Sequence, residues 1–220
     1  MATLNIAVAS NFKVTAQQIA HTFTENTGVE VNISSASTAT LYQQILRGAP
    51  FDLFLSADEK HIDLLVATDK MKPHTKFIYA QGQLVFWQPN LNRIPTLDDF
   101  TQFNERLAIA NPKFAPYGIA AQQTLEFLNK WQTQAYVKGN NINQTYQFVE
   151  SNNVAAGLVA LASVLQQKKT KYVIIPQQWY QPIKQAGIVL NNHNQSDAEK
   201  FREFVLSNAT QVYIHSQGYD

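Results

Sequence analysis

Three times along this chain a short apolar run ends on small polar residues and passes into a pattern of helical period, and a fourth, weaker polar turn also opens a helix. That recurrence constrains the fold more than any other feature. In the first copy, Ile6-Ala-Val-Ala-Ser-Asn-Phe12 ends on Ser10 and Asn11, and Phe12, Ala16, Ile19, Ala20 and Phe23 then recur at three- and four-residue spacing. Gly28 stands where a C-cap belongs. In the second, the alternating run Val29-Glu-Val-Asn-Ile-Ser-Ser35 leads through Ala36-Ser37-Thr38-Ala39-Thr40 into a helical segment from Leu41 to Leu46, closed by Gly48-Ala-Pro50. In the third, Leu107-Ala-Ile-Ala-Asn-Pro112 enters a loop, and Pro116-Tyr117-Gly118 opens a helix running from Ile119 to Trp131. The fourth and weakest copy is Gly139-Asn-Asn-Ile-Asn-Gln-Thr145, opening a helix through Tyr146, Phe148 and Val149.

Strand, polar turn and helix together aim backbone N–H groups at an anion. Any one such turn also fits an ordinary N-cap. Four in one chain point to a cleft ringed by helix N-termini and hydroxyls. No Lys or Arg lies within the first two turns, although Lys13 follows the first; Lys113 and Lys138 border the other two. The anion site expected is therefore built mainly from neutral donors.

Composition fits a soluble α/β protein. With 220 residues, one large domain or two small ones are possible, and an apolar content of 45% can fill a core. A net charge of +1 with no basic stripe argues against nucleic acid as a partner. No run approaches the roughly 18 apolar residues of a membrane span. No secretory leader precedes the first strand, as in a mature exported chain given a new start; a cytoplasmic chain would look the same. The absence of Cys excludes disulfides, thiolate metal sites and thiol nucleophiles.

Strands are expected at Leu4–Ala9, Val29–Ser34, Asp52–Ser56, Phe77–Trp87, Leu107–Ala110, Ala155–Ala160, Tyr172–Ile175 and Gly187–Leu190. Helices are expected at Lys13–Thr27, Thr40–Arg47, Glu59–Thr68, Leu97–Phe103, Ile119–Trp131, Asn143–Glu150 and Ser196–Ser207. This is the βα rhythm of parallel sheets covered on both faces. Phe77–Trp87 is too long for one ordinary strand, and Gly82 interrupts it. With Gln181–Leu190 as the return, it fits a two-stranded hinge between two α/β lobes; Gly82 fits a β-bulge within one sheet equally well. The two-lobed division places residues 1–80 and 186–220 in lobe I and 81–185 in lobe II, with hinges near 80–84 and 182–188.

Other constellations carry less. Ser10 has no Gly-x-Ser-x-Gly elbow around it and no His at a facing turn, so a hydrolase is disfavoured. His21, His61, His74, His193 and His215 are scattered, without the spacing of a metal-cation site. Asp52 and Asp58 flank a strand, Asp58 as the expected cap of the helix beginning at Glu59. Phe77, Tyr79, Phe86 and Trp87 read as core at strand spacing, and Lys168-Lys-Thr-Lys171 as a solvated loop. Asn191–Gln195 reads as a turn before a last helix capped by Ser196 or Asp197.

Several of these segments also stand in a familiar order. Ala7–Phe12, Ser34–Thr38, Gly48-Ala-Pro50, Asp52–Glu59, Asn111-Pro112 with Ala115–Gly118, and Asn140-Asn-Ile142 with Gln144 resemble the corresponding run in periplasmic molybdate-binding proteins. These are the substrate-binding components of the molybdate ABC importer. The resemblance extends from Leu4 to Gln217-Gly-Tyr219, and its weight lies in joint order and spacing. It implies a type II-like, two-lobed α/β binding protein, each lobe a mainly parallel sheet flanked by helices, that closes on a tetrahedral oxyanion.

Residue by residue, the resemblance implies ligand donors at Ser10 and Asn11 in the first turn. In the second it implies a hydroxyl at Thr38, where the family has Ser, with Ser37 adjacent. In the third and fourth it implies backbone N–H donors at Tyr117 and at Ile142, where members often have Val. Some members carry a further Tyr ligand where this chain reads Gly157-Leu-Val-Ala160; Tyr117, from the facing loop, is the expected replacement. The implied ligand is molybdate or tungstate, with no cofactor, no cationic metal and no catalysis. The implied partner is an inner-membrane ABC permease, and the implied state is a monomer. The implied location is the periplasm, its signal peptide removed, or the outer face of the membrane under a lipid anchor. The departures at Thr38 and Ala160 keep another oxyanion, such as sulfate or chromate, as the alternative, beside an oxyanion-sensing domain, for which no helix-turn-helix segment is present.

Overall fold

The computed structural model describes residues 3–68, 75–190 and 194–220. The chain divides into two compact units whose described residues are 3–68, 75–81, 184–190, 194–218 and 220 in one, and 82–183 with 219 in the other. Each unit holds one five-stranded sheet.

In the first unit β1 (Thr3–Ala9) runs into α1 (Lys13–Thr27), β2 (Glu30–Ala36), α2 (Thr38–Leu46), β3 (Leu53–Leu55), α3 (Lys60–Val66) and β4 (Phe77–Gly82). α1 has the two ends expected from its period: Gly28 takes a left-handed φ of 72° and donates its N–H to Thr24 O, closing the helix. Parallel strands need crossovers: α1 supplies the one from β1 to β2 and α2 the one from β2 to β3, so β1 pairs in parallel with both.

The second unit begins with β5 (Leu84–Trp87), α4 (Leu97–Gln102), β6 (Leu107–Ala110), α5 (Pro116–Phe127), β7 (Tyr136–Gly139) and α6 (Ile142–Glu150), followed by β8 (Ala156–Ala160), α7 (Leu161–Gln166) and β9 (Tyr172–Ile174). The chain returns to the first sheet as β10 (Ile183–Val189) and ends in α8 (Gln195–Leu206) and α9 (Asn208–Ser216). The strand orders are β2-β1-β3-β10-β4 and β7-β6-β8-β5-β9. Parallel pairs occupy one side of each sheet; β10 on β3, and β5 on β8 and β9, are antiparallel. Phe77–Trp87 is thus two strands in two sheets, parted at Gln83, and not one bulged strand.

The cores explain the strand sequences. In the first unit Ala7, Phe54, Ala186 and Ile188 from the sheet pack with Leu41, Ile45, Ile62 and Leu65 from α2 and α3. On α1, Phe23 meets Phe201 and Phe204 of α8 edge-on at 5.1 and 5.5 Å. In the second unit Trp87 stacks on Tyr146 at 4.7 Å, with Val85, Ala108, Val149 and Val159 around them. Tyr79 and Phe86 are buried, as their strand spacing required.

Some local expectations shift. α8 opens at Gln195, so Asn194 and not Ser196 or Asp197 precedes it; the Asn194 side chain instead donates to Thr3 O at 3.1 Å. The turn at Asn191–His193 and the histidine at position 74 lie outside the described residues. α5 starts at Pro116 because proline suits the first helical position, and it stops at Phe127 because Asn129 turns left-handed at φ 56°. No helix among the described residues is long and apolar enough to cross a membrane.

Phe23→Ala should lower unfolding stability by about 3–5 kcal/mol, through lost burial and an unfilled cavity against α8. Urea denaturation followed by far-UV circular dichroism measures it.

Candidate functional site

Parallel pairing sets the site residues side by side. The ends of β1 and β2 are paired in register, Ala9 against Ala36. Ser10–Asn11 and Ser37–Thr38 therefore leave neighbouring strand ends together. The second unit repeats the device: β6 and β7 pair in register to Ala110 against Gly139, and the N-termini of α5 and α6 follow from those ends. In open α/β sheets ligands bind beyond the carboxyl ends of strands in this way.

Each turn has its own construction. Ser10-Asn11-Phe12 forms one 3-10 turn closed by the Lys13 N–H on Ser10 O. Ser10 is half-buried and Asn11 is buried, its side-chain Nδ2 donating to Gln185 Oε1 at 2.9 Å. Ser37 caps α2: its Oγ accepts the Thr40 N–H at 3.3 Å and lies 2.7 Å from Thr40 Oγ1. Thr38 opens the helix and is buried, its Oγ1 accepting the Ala57 N–H at 3.1 Å. Accepting that bond leaves the hydroxyl proton free to donate.

In the second unit Asn111 builds an Asx turn, its Oδ1 accepting the Lys113 N–H at 3.0 Å. Tyr117 is the second residue of α5 and is buried. Gly118 is required there: a Cβ would stand 2.5 Å from Ala110 O and 2.7 Å from Asn111 C. Only glycine lets the helix start rest directly on the strand end. Ile142 is the first residue of α6, and two side chains clamp that helix start. Asn141 Oδ1 accepts the Gln144 N–H at 2.9 Å, and Gln144 Oε1 accepts the Asn140 N–H at 2.7 Å. Ala160 is buried and precedes α7 without a side-chain cap.

The remaining polar residues singled out from sequence lie elsewhere in the chemistry. Asp58 accepts the His61 N–H at 2.9 Å and pairs with its ring Nδ1 at 2.8 Å, as a helix-start acceptor. His21 is exposed beside Glu25, 3.3 Å away, and His215 is exposed. Gln185 and the Tyr79 hydroxyl, both buried behind the first turn, were not singled out as site residues. The one signal for Gln185 was an uncharged polar residue inside an apolar strand.

Three comparisons bear on these turns. The model of the bacterial extracellular solute-binding protein family matches residues 4–220. A molybdate-binding protein of Rhodobacter capsulatus is 34% identical over 217 residues, 97% of this chain and 86% of that protein. The solved periplasmic molybdate-binding protein of Azotobacter vinelandii superposes with a TM-score of 0.93 at 31% identity, covering 99% of this chain and 98% of that one.

Gly118→Ala should cost about 1–3 kcal/mol of stability, because its new methyl meets backbone that cannot rotate away. Thermal denaturation beside the unsubstituted protein reads it.

Proposed function

The chain belongs to the bacterial extracellular solute-binding protein family, and we propose that its solute is molybdate, bound for delivery to an ABC permease. The observation that carries this reading is likeness over nearly the whole chain to proteins named for molybdate binding. The proposed donors are Ser10, Asn11, Ser37 and Thr38 from one unit and Tyr117 and Ile142 from the other. Ser10 and Thr38 act through hydroxyls, Tyr117 and Ile142 through backbone N–H groups. The protein binds and releases; it does no chemistry on the ion. It works outside the cytoplasm, as a monomer, free in the periplasm or held by a lipid anchor.

The energetics are consistent with neutral donors. A molybdate dianion at neutral pH has four acceptor oxygens and no proton to give. Hydrogen bonds to a charged acceptor contribute about 1.5–3 kcal/mol each, and helix N-termini add up to ~2 kcal/mol when partly buried. A handful reaches the roughly 8 kcal/mol of micromolar affinity without any cation. Neutral donors also leave no ion pair to break on release. Selectivity against sulfate follows from size, since donors spaced for the larger ion make long, weak bonds to the smaller. Tungstate, nearly the same size as molybdate, binds alike.

Isothermal titration calorimetry of dialysed protein with molybdate, tungstate, sulfate and phosphate tests the reading. One-to-one binding of the first two alone supports it; sulfate alone, or no heat from any, refutes the ligand. Ser10→Ala with Thr38→Ala should weaken molybdate binding by about 2–5 kcal/mol, roughly 1–2.5 for each charge-assisted bond; an unchanged titration would mean that these hydroxyls do not touch the ion. Tyr117→Phe should weaken binding about tenfold if the ring hydroxyl stands in for the tyrosine absent at Ala160, the size of one hydrogen bond to a charged acceptor. Unchanged affinity would restrict Tyr117 to its backbone N–H.

A further inference from the structure

Behind the two turns of the first unit lies one chain of buried polar contacts. Asn11 Nδ2 donates to Gln185 Oε1 at 2.9 Å. The Tyr79 hydroxyl lies 3.1 Å from the same oxygen and 2.9 Å from Ser56 O. The residue after Ser56 is Ala57, whose N–H reaches Thr38 Oγ1 at 3.1 Å. Gln185 and Ser56 are 0% exposed, Tyr79 and Thr38 1% and Asn11 4%. The relay therefore begins at one proposed anion turn and ends at the other, drawing on β10, β4 and the end of β3 between them.

The sheet does not need these side chains. Backbone groups complete its ladders, and an apolar residue at position 185 would be buried at lower cost than an amide. What the amide adds is direction. Gln185 Oε1 has two lone pairs: the Asn11 amide donates to it, and the single Tyr79 hydroxyl proton is shared between it and the nearer Ser56 O, which together fix the plane of the Asn11 side chain and with it the Ser10–Phe12 turn. The Tyr79 ring braces the same turn, 4.7 Å from Phe12. At the far end the Ala57 N–H donates to the Thr38 oxygen, whose own proton stays available to an acceptor.

We infer that Gln185 and Tyr79 are positioning residues for oxyanion binding, holding the Asn11 and Thr38 turns at the separation that suits the larger tetrahedral dianions. The inference rests on the functional reading above. Gln185 and Tyr79 touch no ligand themselves; they set how far apart two donors stand, and so which ion both can reach.

The test is a double-mutant cycle read by calorimetry with molybdate and with sulfate, using Gln185→Met, Asn11→Ala and both together. Gln185→Met keeps the side-chain length and removes the amide. It should weaken molybdate binding about tenfold, or about 1.4 kcal/mol, and narrow the preference for molybdate over sulfate. In the Asn11→Ala background the same substitution should have little further effect, because Gln185 acts through Asn11. Tyr79→Phe, which keeps the ring on Phe12, should weaken binding a few-fold, roughly one neutral hydrogen bond, and decides the matter if Gln185→Met does not fold. Equal affinities in the unsubstituted protein and these variants, or fully additive effects of Gln185→Met and Asn11→Ala, would overturn the inference. Failure of the unsubstituted protein to bind molybdate would instead overturn the functional reading, and this inference with it.

Discussion

Parallel, in-register pairing of two strands is the constraint on which the candidate site depends. Where β1 ends at Ala9 its neighbour ends at Ala36, and where β6 ends at Ala110 its neighbour ends at Gly139. Each strand end delivers a helix start, and helix starts carry N–H groups and positive dipole ends. Two such starts side by side make a donor surface that one alone does not. The antiparallel strands of each sheet, β10 in the first and β5 in the second, carry no such turn.

The turns then need close approach and fixed rotamers more than charge. Gly118 and Gly139 show the first requirement: a Cβ on Gly139 would stand 2.6 Å from Thr145 Oγ1 and 2.8 Å from its backbone N. The second is met by side chains spent on the backbone. Ser37, Asn111, Asn141 and Gln144 each bond a main-chain group of their own turn. Turns bonded in this way have less freedom to lose when a ligand arrives.

Much of this was legible in the sequence, for local reasons. α1 was readable to both ends because its apolar period is clean and Gly28 closes it. The turns at Ser10, Thr38 and Tyr117 were readable as strand-to-helix junctions because polar clusters follow apolar runs; the one at Ile142 was readable only as a helix start, from its Gly and Asn residues. β7 was missed as a strand: Tyr-Val-Lys-Gly is short, half-exposed and at a sheet edge, so it carries no alternation. α7 was missed because it follows β8 directly, with buried Ala160 in place of a polar cap. α9 was missed because a single residue, Ser207, both ends α8 and caps α9. The Gln185 contact could not be read locally at all, since its partner Asn11 lies 174 residues away.

The most direct measurement is a crystal structure of the molybdate-soaked protein with anomalous data at the molybdenum edge. The proposed function predicts one strong anomalous peak, its oxygens within hydrogen-bonding reach of the Ser10 and Thr38 hydroxyls. A peak held by lysine or histidine side chains, or at any place remote from Thr38, would contradict it.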